Sequence, residues 1–297
     1  MIILGAGPAG ITAAVYAARK RMNFLIISKD VGGQTILSAD IENYTGYQFV
    51  TGPELIQKFR DHLEQFDVNL KEGEKIILVE KENELINIKT DKGDYQAKSV
   101  ILATGRVPRK LGVEGESEFK GKGVTYCATC DGPLFAERAV AVIGGGNSAL
   151  DAVLQLDKIA NSIYLIDIAP ELRADPIMVE KAQASQKVTI YNNTKVIKIT
   201  GSKFVEGISI SSGGKEEELP VGGIFIEVGS VPASDYISGV KKNEMDEVLV
   251  NCQSMTSIEG VFAAGDVTDV YAKQIIVACG EGAKASLAGF DYLSKRR

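Results

Sequence analysis

Histidine is nearly absent: His62 is the single one in 297 residues. A Ser–His–Asp triad or a histidine-based metal cluster needs more imidazole than that, so both are excluded and no metal site is expected. His62 itself falls in the charged stretch Pro53 to Gln65, which is predicted as a helix with the ring facing solvent. Cysteine is scarce too. Cys127, Cys130, Cys252 and Cys279 are too few for the disulfide framework of a secreted scaffold this long. Positive charge is in deficit, with 33 Lys and Arg against 39 Asp and Glu and a net charge of −6. That balance lacks the clustered basic field that nucleic-acid binding requires. Long apolar runs are missing as well. The opening stretch invites a signal-peptide reading, but Gly5, Gly7, Pro8 and Gly10 interrupt it. Arg19, Lys20 and Arg21 also follow it, where a signal peptide has its basic residues in front. The expectation is a cytoplasmic chain that engages neither membrane nor nucleic acid.

Glycine is what the sequence has in excess, with 31 residues. The chain opens on the β-branched run Ile2-Ile3-Leu4, followed by Gly5-Ala6-Gly7-Pro8-Ala9-Gly10, a helix-compatible stretch Ile11 to Arg21, and the apolar run Phe24 to Ile27. This reads as strand, glycine turn, helix, strand. In such a unit Gly5 permits the tight turn, Gly7 lets backbone approach a pyrophosphate, and Gly10 lets the helix pack on the strand. The helix N-terminus then offers free N–H groups to the phosphates. The pattern recurs: strand Ala139 to Ile143, loop Gly144-Gly145-Gly146-Asn147-Ser148-Ala149, a helical stretch to Ala160, and strand Ser162 to Ile166. Gly5 to Ser28 and Gly144 to Asp167 span the same interval of 23 residues. Two matched copies predict an α/β fold with two Rossmann-like dinucleotide-binding domains, in keeping with the two domains this length suggests.

The copies differ where the second strand ends. Asp167 is an acid placed to bind a ribose 2′-hydroxyl and to repel a 2′-phosphate, which favours NADH over NADPH, although Arg173 stands six positions on. The first copy has Ser28 and no acid there, so it is a different dinucleotide site. Three further apolar strands end in small-residue turns, at Ala103-Thr104-Gly105, at Glu227-Val228-Gly229 and at Gly265-Asp266. Strand ends of this kind line the ligand crevice of doubly wound sheets.

Cys127-Ala128-Thr129-Cys130-Asp131 precedes the second copy. As half a zinc site it lacks two partner ligands, and as a haem attachment it has Asp131 where a histidine is required. An inert pair in a reducing compartment has no evident use. A redox dithiol fits, because two intervening residues allow a reversible bridge and Asp131 can exchange protons with the thiols. Cys252 and Cys279 are predicted to be small buried residues.

Taken together these residues resemble the low-molecular-weight thioredoxin reductases, and within them the flavoprotein module of alkyl hydroperoxide reductase. The resemblance runs over essentially the whole chain: Gly5–Gly10, Gly32-Gly33-Gln34, Glu42-Asn43-Tyr44, Ala103–Gly105, Cys127–Asp131, Gly144–Ser148, Gly265-Asp266 and Lys273-Gln274-Ile275. It implies FAD along Gly5, Ala6, Gly7, Pro8, Gly10, Ser28, Gly33, Gln34, Asn43, Thr104, Gly105, Gly265, Asp266, Lys273, Gln274 and Ile275. It implies NADH at Gly144, Gly146, Asn147, Ser148 and Asp167. NADPH-using members carry a basic run where this sequence has Asp167-Ile168-Ala169. The implied organisation is a discontinuous FAD domain, 1–110 with 241–297, around an inserted NAD domain, 111–240. Hinges near Lys110–Gly112 and Gly239–Lys241 would let the inserted domain rotate between two tasks.

The implied function passes electrons from NADH through FAD and the Cys127–Cys130 disulfide to thioredoxin or another small thioredoxin-fold protein, in a homodimer. By the same resemblance Cys130 faces the flavin, Cys127 attacks the partner and Asp131 handles the proton. The alternatives are an NADH oxidase and a relative reduced by ferredoxin. The alkyl hydroperoxide reductase module normally follows two thioredoxin-like domains, which these residues do not include, and Met1 already borders the first strand, so a few residues are expected before it.

Overall fold

Ile2-Ile3-Leu4 send alternate side chains to two apolar layers, which makes this strand the centre of a sheet buried on both sides. A computed structural model describes residues 1–38 and 41–296. The chain forms two units, Met1–Val107 with Val231–Arg297, and Pro108–Ser230. The division falls at Val107/Pro108 and Ser230/Val231, whereas the sequence suggested 110/111 and 240/241. Hydrogen bonds set the difference: Ala233 N donates to Gly105 O and Val79 N to Tyr236 O, which ties 231–240 to the first unit. Arg109 N donates to Gly229 O, which ties 108–110 to the second.

In the first unit five parallel strands run in the order Val261–Ala263, Val100–Leu102, Ile2–Ala6, Leu25–Val31, Asn69–Glu72. Ile3, Ile101 and Phe262 face helices Pro8–Arg19 and Ile275–Ser294. Leu4, Val100 and Leu102 face a three-stranded antiparallel sheet, Ile76–Glu82, Leu85–Thr90 and Asp94–Ala97, through Val79, Ile86 and Ile88. The first helix starts at Pro8 rather than Ile11, because proline at the first helical position is preset for it. It stops before Arg21, which is left-handed at φ +52°. The second strand runs to Val31, past Ile27, because the pairing with the first strand bulges between Leu4 and Ala6 and resumes at Ala6–Val31.

The second unit repeats this plan. Its parallel order is Val188–Tyr191, Ser162–Ile166, Ala139–Ile143, Gly223–Ile226, Val124–Thr125. Val140, Val142 and Phe225 pack with Leu150 and Val153 of helix Asn147–Leu156. Ile143, Ile224 and Ile226 pack on the antiparallel meander Thr194–Gly201, Val205–Ser212 and Lys215–Pro220. Among the described residues no helix is long and apolar enough to cross a membrane.

Candidate functional site: two glycine loops and a cysteine pair

The first loop joins the central strand of unit 1 to its helix. Gly5 sits at φ +103°, and a Cβ there would lie 2.4 Å from Ala103 O. Gly10 is tighter still, since its Cβ would come within 1.9 Å of Gly5 O. These two glycines are required by the fold itself. Gly7 is different: it caps the helix in extended conformation, and the nearest atom to its Cβ position is Gly33 Cα at 3.9 Å. The open space in front of Gly7 and the start of the helix, where the first N–H groups have no partner within the helix itself, form a cradle for an anionic group.

The other expected residues of unit 1 gather around this loop or brace one another. Ser28 lies inside the second strand rather than after it. It is buried, its Oγ accepting from Ala6 N at 3.0 Å and donating to Asp30 O at 2.5 Å. Ser28 therefore fixes the loop's backbone. Gln34 Nε2 donates to Arg106 O at 2.5 Å. Asn43 Nδ2 reaches Gln274 Oε1 at 3.1 Å, which joins two predicted residues far apart in sequence. Thr104 donates to Ala233 O at 2.7 Å, so the Tyr236 hydroxyl, 2.5 Å away, donates to Thr104. Gly265, at φ +75°, lies against Ala9, with Asp266 next to it. Burial pushes the Asp266 carboxyl up, and Lys273 and Arg106 oppose it.

Ile275 opens the last helix. Lys273 Nζ is held by Thr268 O, Val270 O and, at 2.9 Å, by Glu247. Arg106 meets the same Glu247 oxygen at 3.0 Å. Burial raises the Glu247 carboxyl, but Asn243, Lys273 and Arg106 outweigh it and hold it below the ordinary range. Sequence reasoning missed this buried carboxylate, since nothing local marks Glu247 as the acceptor for two cations distant in the chain.

In unit 2, Gly144 at φ +127° abuts Glu227 O, 2.3 Å from the Cβ position, and a Cβ on Gly145 would strike Asp167 Oδ2. Gly146, like Gly7, is the N-cap of the following helix and has nothing within 4 Å of its Cβ position. Ala149 replaces the third glycine and is fully buried. Asn147 braces the loop, its Oδ1 accepting from Asp175 N at 2.8 Å, and Ser148 is exposed beside it. Asp167 directly follows its strand and is 5% exposed, and its Oδ2 accepts no hydrogen bond among the described residues. The Arg173 guanidinium lies 3.7 Å from that oxygen, on a side chain 69% exposed. A buried carboxylate oxygen without a hydrogen-bond donor, beside an open glycine at a helix start, suits a ribose hydroxyl.

Cys127 and Cys130 form a disulfide with Cα atoms 5.4 Å apart, within the usual range. Cys127 caps the N-terminus of the short helix Ala128–Asp131 and Cys130 lies within it, with Cys127 half-buried and Cys130 exposed. Asp131 Oδ2 accepts from Thr125 Oγ1 at 2.5 Å, and the same Oγ1 accepts from Cys127 N at 3.2 Å. Thr129 donates to Gln155 Oε1, and Gln155 Nε2 donates to Asp151 Oδ2 at 2.8 Å, so a polar run leads from the cysteine segment into the helix after the second loop. Beside that loop, burial and the Asp151 carboxylate push the Glu227 carboxyl up to about 8. Glu227 was legible only as a lone acid ending an apolar strand.

The remaining cysteines correct the sequence reading. Cys252 is exposed, because Asn251 Oδ1 accepts from Gln253 N and Met255 N and folds the segment into a turn. Cys279 is half-buried, with Tyr44 OH 3.8 Å from its sulfur, and burial pushes its thiol up. His62 is exposed, as expected.

Comparison with known proteins agrees with this arrangement. The family profile described as pyridine nucleotide-disulphide oxidoreductase matches residues 1–282. The chain is 40% identical over 306 residues to a component of the alkyl hydroperoxide reductase of Escherichia coli, covering all of this chain and 58% of that protein. It is also 40% identical to a protein named NADH dehydrogenase from Ferdinandcohnia aciditolerans, covering 99% of this chain and 57% of the relative. It thus spans less than two thirds of these relatives. The crystal structure of Lactococcus lactis thioredoxin reductase in its FR conformation superposes with a TM-score of 0.89 at 34% identity, covering 99% of this chain and 98% of that one.

Proposed function

Because the chain belongs to the pyridine nucleotide-disulphide oxidoreductase family, we propose that it is a flavoprotein disulfide reductase in which unit 1 holds FAD, unit 2 takes NADH, and Cys127–Cys130 passes electrons to a thioredoxin-like partner. The observation that carries this reading is the duplication. One five-stranded plan is built twice with an open N-cap glycine in each copy, and the second copy also carries the disulfide.

Bound in unit 1, the flavin would supply the two-electron chemistry that links a dihydronicotinamide to a disulfide. The chain's residues divide the rest of the work. The backbone at Gly7 and the first turn of its helix take the pyrophosphate, and Ser28 keeps Ala6 in place for it. The Asn43–Gln274 and Thr104–Tyr236 pairs each join segments of unit 1 that are far apart in sequence. In unit 2, the Gly146 N-cap takes the second pyrophosphate, and Asp167 Oδ2 accepts from a ribose hydroxyl while disfavouring a 2′-phosphate.

Once the pair is reduced, the Cys127 thiolate attacks a partner sulfur, forming a mixed disulfide and expelling one partner thiolate. Cys130 then attacks the Cys127 sulfur, which restores the intramolecular bond and releases the second thiolate. Asp131, its carboxyl oriented by Thr125, is the residue to which the family likeness gives the proton handling of this exchange. The partner class, the preference for NADH and a homodimeric state rest on the family likeness and on Asp167.

The test is NADH-driven reduction of a thioredoxin disulfide. The wild type is expected to turn over and Cys130→Ser to fall at least about 10³-fold while keeping its flavin. Retained disulfide reduction in that variant would overturn the role of the pair. A second reading draws on the relative named NADH dehydrogenase: electrons leave without using the cysteines, and Cys130→Ser would keep full NADH turnover with oxygen.

A further inference from the structure

Glu227 stands at a junction that the reading above leaves unused. Its N–H donates to Ile143 O at 2.8 Å, extending the pairing of strand Gly223–Ile226 with the strand that feeds the second loop. Its carbonyl oxygen lies where a side chain on Gly144 would go, so its backbone is locked flush against the first loop glycine. Ile224 and Ile226 belong to the meander side of the sheet and Phe225 to the helix side. Strand alternation therefore sends the Glu227 carboxyl to the helix side, at the C-terminal edge where such sheets take ligands.

Among the described residues the charged group that acts on it is Asp151, from the second turn of helix Asn147–Leu156. Strand Ala139–Ile143 and loop Gly144–Gly146 carry no charged side chain. On the other flank, strand Val124–Thr125 leads to Asp131, whose carboxylate is engaged by Thr125. The segment that follows Glu227 meets the backbone of Arg109 at Gly229. Asp167 also stands against this loop at Gly145, with the Arg173 guanidinium 3.7 Å from its Oδ2. Glu227 and Asp151 thus add two further carboxyls beside the loop on which the proposed function places an anionic dinucleotide. Both cannot be ionised there without opposing that ligand.

We propose that Glu227 is a further dinucleotide-binding residue of unit 2, its neutral carboxyl donating a hydrogen bond to the bound nucleotide and its ionised form repelling the nucleotide's negative charge. This rests on the assignment of a dinucleotide to unit 2. Glu227 then sets an upper pH limit on nucleotide affinity. Burial and Asp151 keep it protonated at neutral pH and release it near pH 8.

The test is calorimetric titration of the flavin-loaded full chain with NAD+, which delivers no hydride, between pH 6.5 and pH 9.5. Wild-type affinity is expected to fall about tenfold between pH 7 and pH 9. Glu227→Gln should bind with a flat pH profile. Asp151→Asn, which removes the like charge, should move the fall to lower pH, and it provides the readout should the Gln variant not fold. Wild-type binding that stays constant across the range, or a fall that persists in Glu227→Gln, overturns the proposal. An Asp151→Asn break at the wild-type pH also counts against it. Absence of binding by NAD+ and NADP+ at every pH overturns the dinucleotide reading of unit 2, and this proposal with it.

Discussion

Ser28 and Asp167 stand the same distance from the first glycine of their loops, yet they do opposite things. The Ser28 hydroxyl is fully engaged within the protein, between Ala6 N and Asp30 O, and a bulge carries its strand on to Val31. The Asp167 carboxylate directly follows its strand, is buried, and keeps one oxygen clear of hydrogen bonds among the described residues. The loops differ in the same sense. In unit 1 the third position must be glycine because it touches Gly5 O, whereas unit 2 seats Ala149 there. Unit 1 also presses two helices together, for Gly282 of the last helix would meet Ala9 O at 2.0 Å if it carried a Cβ. The same sheet plan thus supports one loop braced by its own chain and another that leaves a polar acceptor for a ligand. Matching glycine spacing reports the shared backbone, and on the proposed function the residue at the strand end is what distinguishes the two ligands.

The comparison can be broken most forcefully at the third loop position. Gly10→Ala should destabilise unit 1 by about 3 kcal/mol through overpacking, seen as a large drop in its unfolding midpoint. Ala149→Gly, the reverse change in unit 2, should cost only about 1 kcal/mol, from helix propensity. Equal effects would mean that the two loops are not packed differently.

The open N-cap glycines sharpen the contrast. Gly7→Ala and Gly146→Ala should each keep folding stability within about 1 kcal/mol, because each has negative φ and free space. Gly7→Ala should then lose flavin on purification, and Gly146→Ala should keep flavin but weaken NADH binding. A variant that unfolds instead would make its glycine structural.

Asp167→Asn should lower the ratio of kcat/KM for NADH over NADPH about tenfold, by removing a charge-assisted acceptor and a repulsive charge. An unchanged ratio would shift selectivity to Arg173 or to a more distant base.

The smallest effect concerns stability. The folded-state pKa of Glu227 lies above its unfolded value, so its stabilising contribution is complete below the ordinary carboxylate range and lost as pH rises through about 8. Glu227→Gln should therefore gain in unfolding midpoint relative to wild type at pH 9 and show less gain at pH 4. A pH-independent difference would contradict the assignment.

Much of this was legible from local pattern. Both glycine loops, the strands around them, Asp167 after its strand and the Cys127–Cys130 pair all follow from spacing, because a strand–turn–helix unit is encoded within about thirty residues. What was not legible depends on distant partners. The Asn43–Gln274 contact, the Glu247 acceptor between Arg106 and Lys273, and the anchoring of 231–240 by Gly105 and Val79 join residues whose meeting only the fold decides. The burial expected of Cys252 failed because Asn251 turns the chain outward there, a side-chain-to-backbone device that an apolar run conceals.

The central claim is that the two loops take two different dinucleotides and serve one disulfide. Anaerobic titration of the flavin-loaded chain with NADH, followed by flavin absorbance and thiol counting, tests it most directly. The account predicts that wild type takes up one equivalent of NADH for the flavin and a second for the Cys127–Cys130 bond, that Cys130→Ser takes up only the first, and that NADPH is much less effective. Bleaching by neither nucleotide, or an identical uptake by wild type and Cys130→Ser, would contradict it.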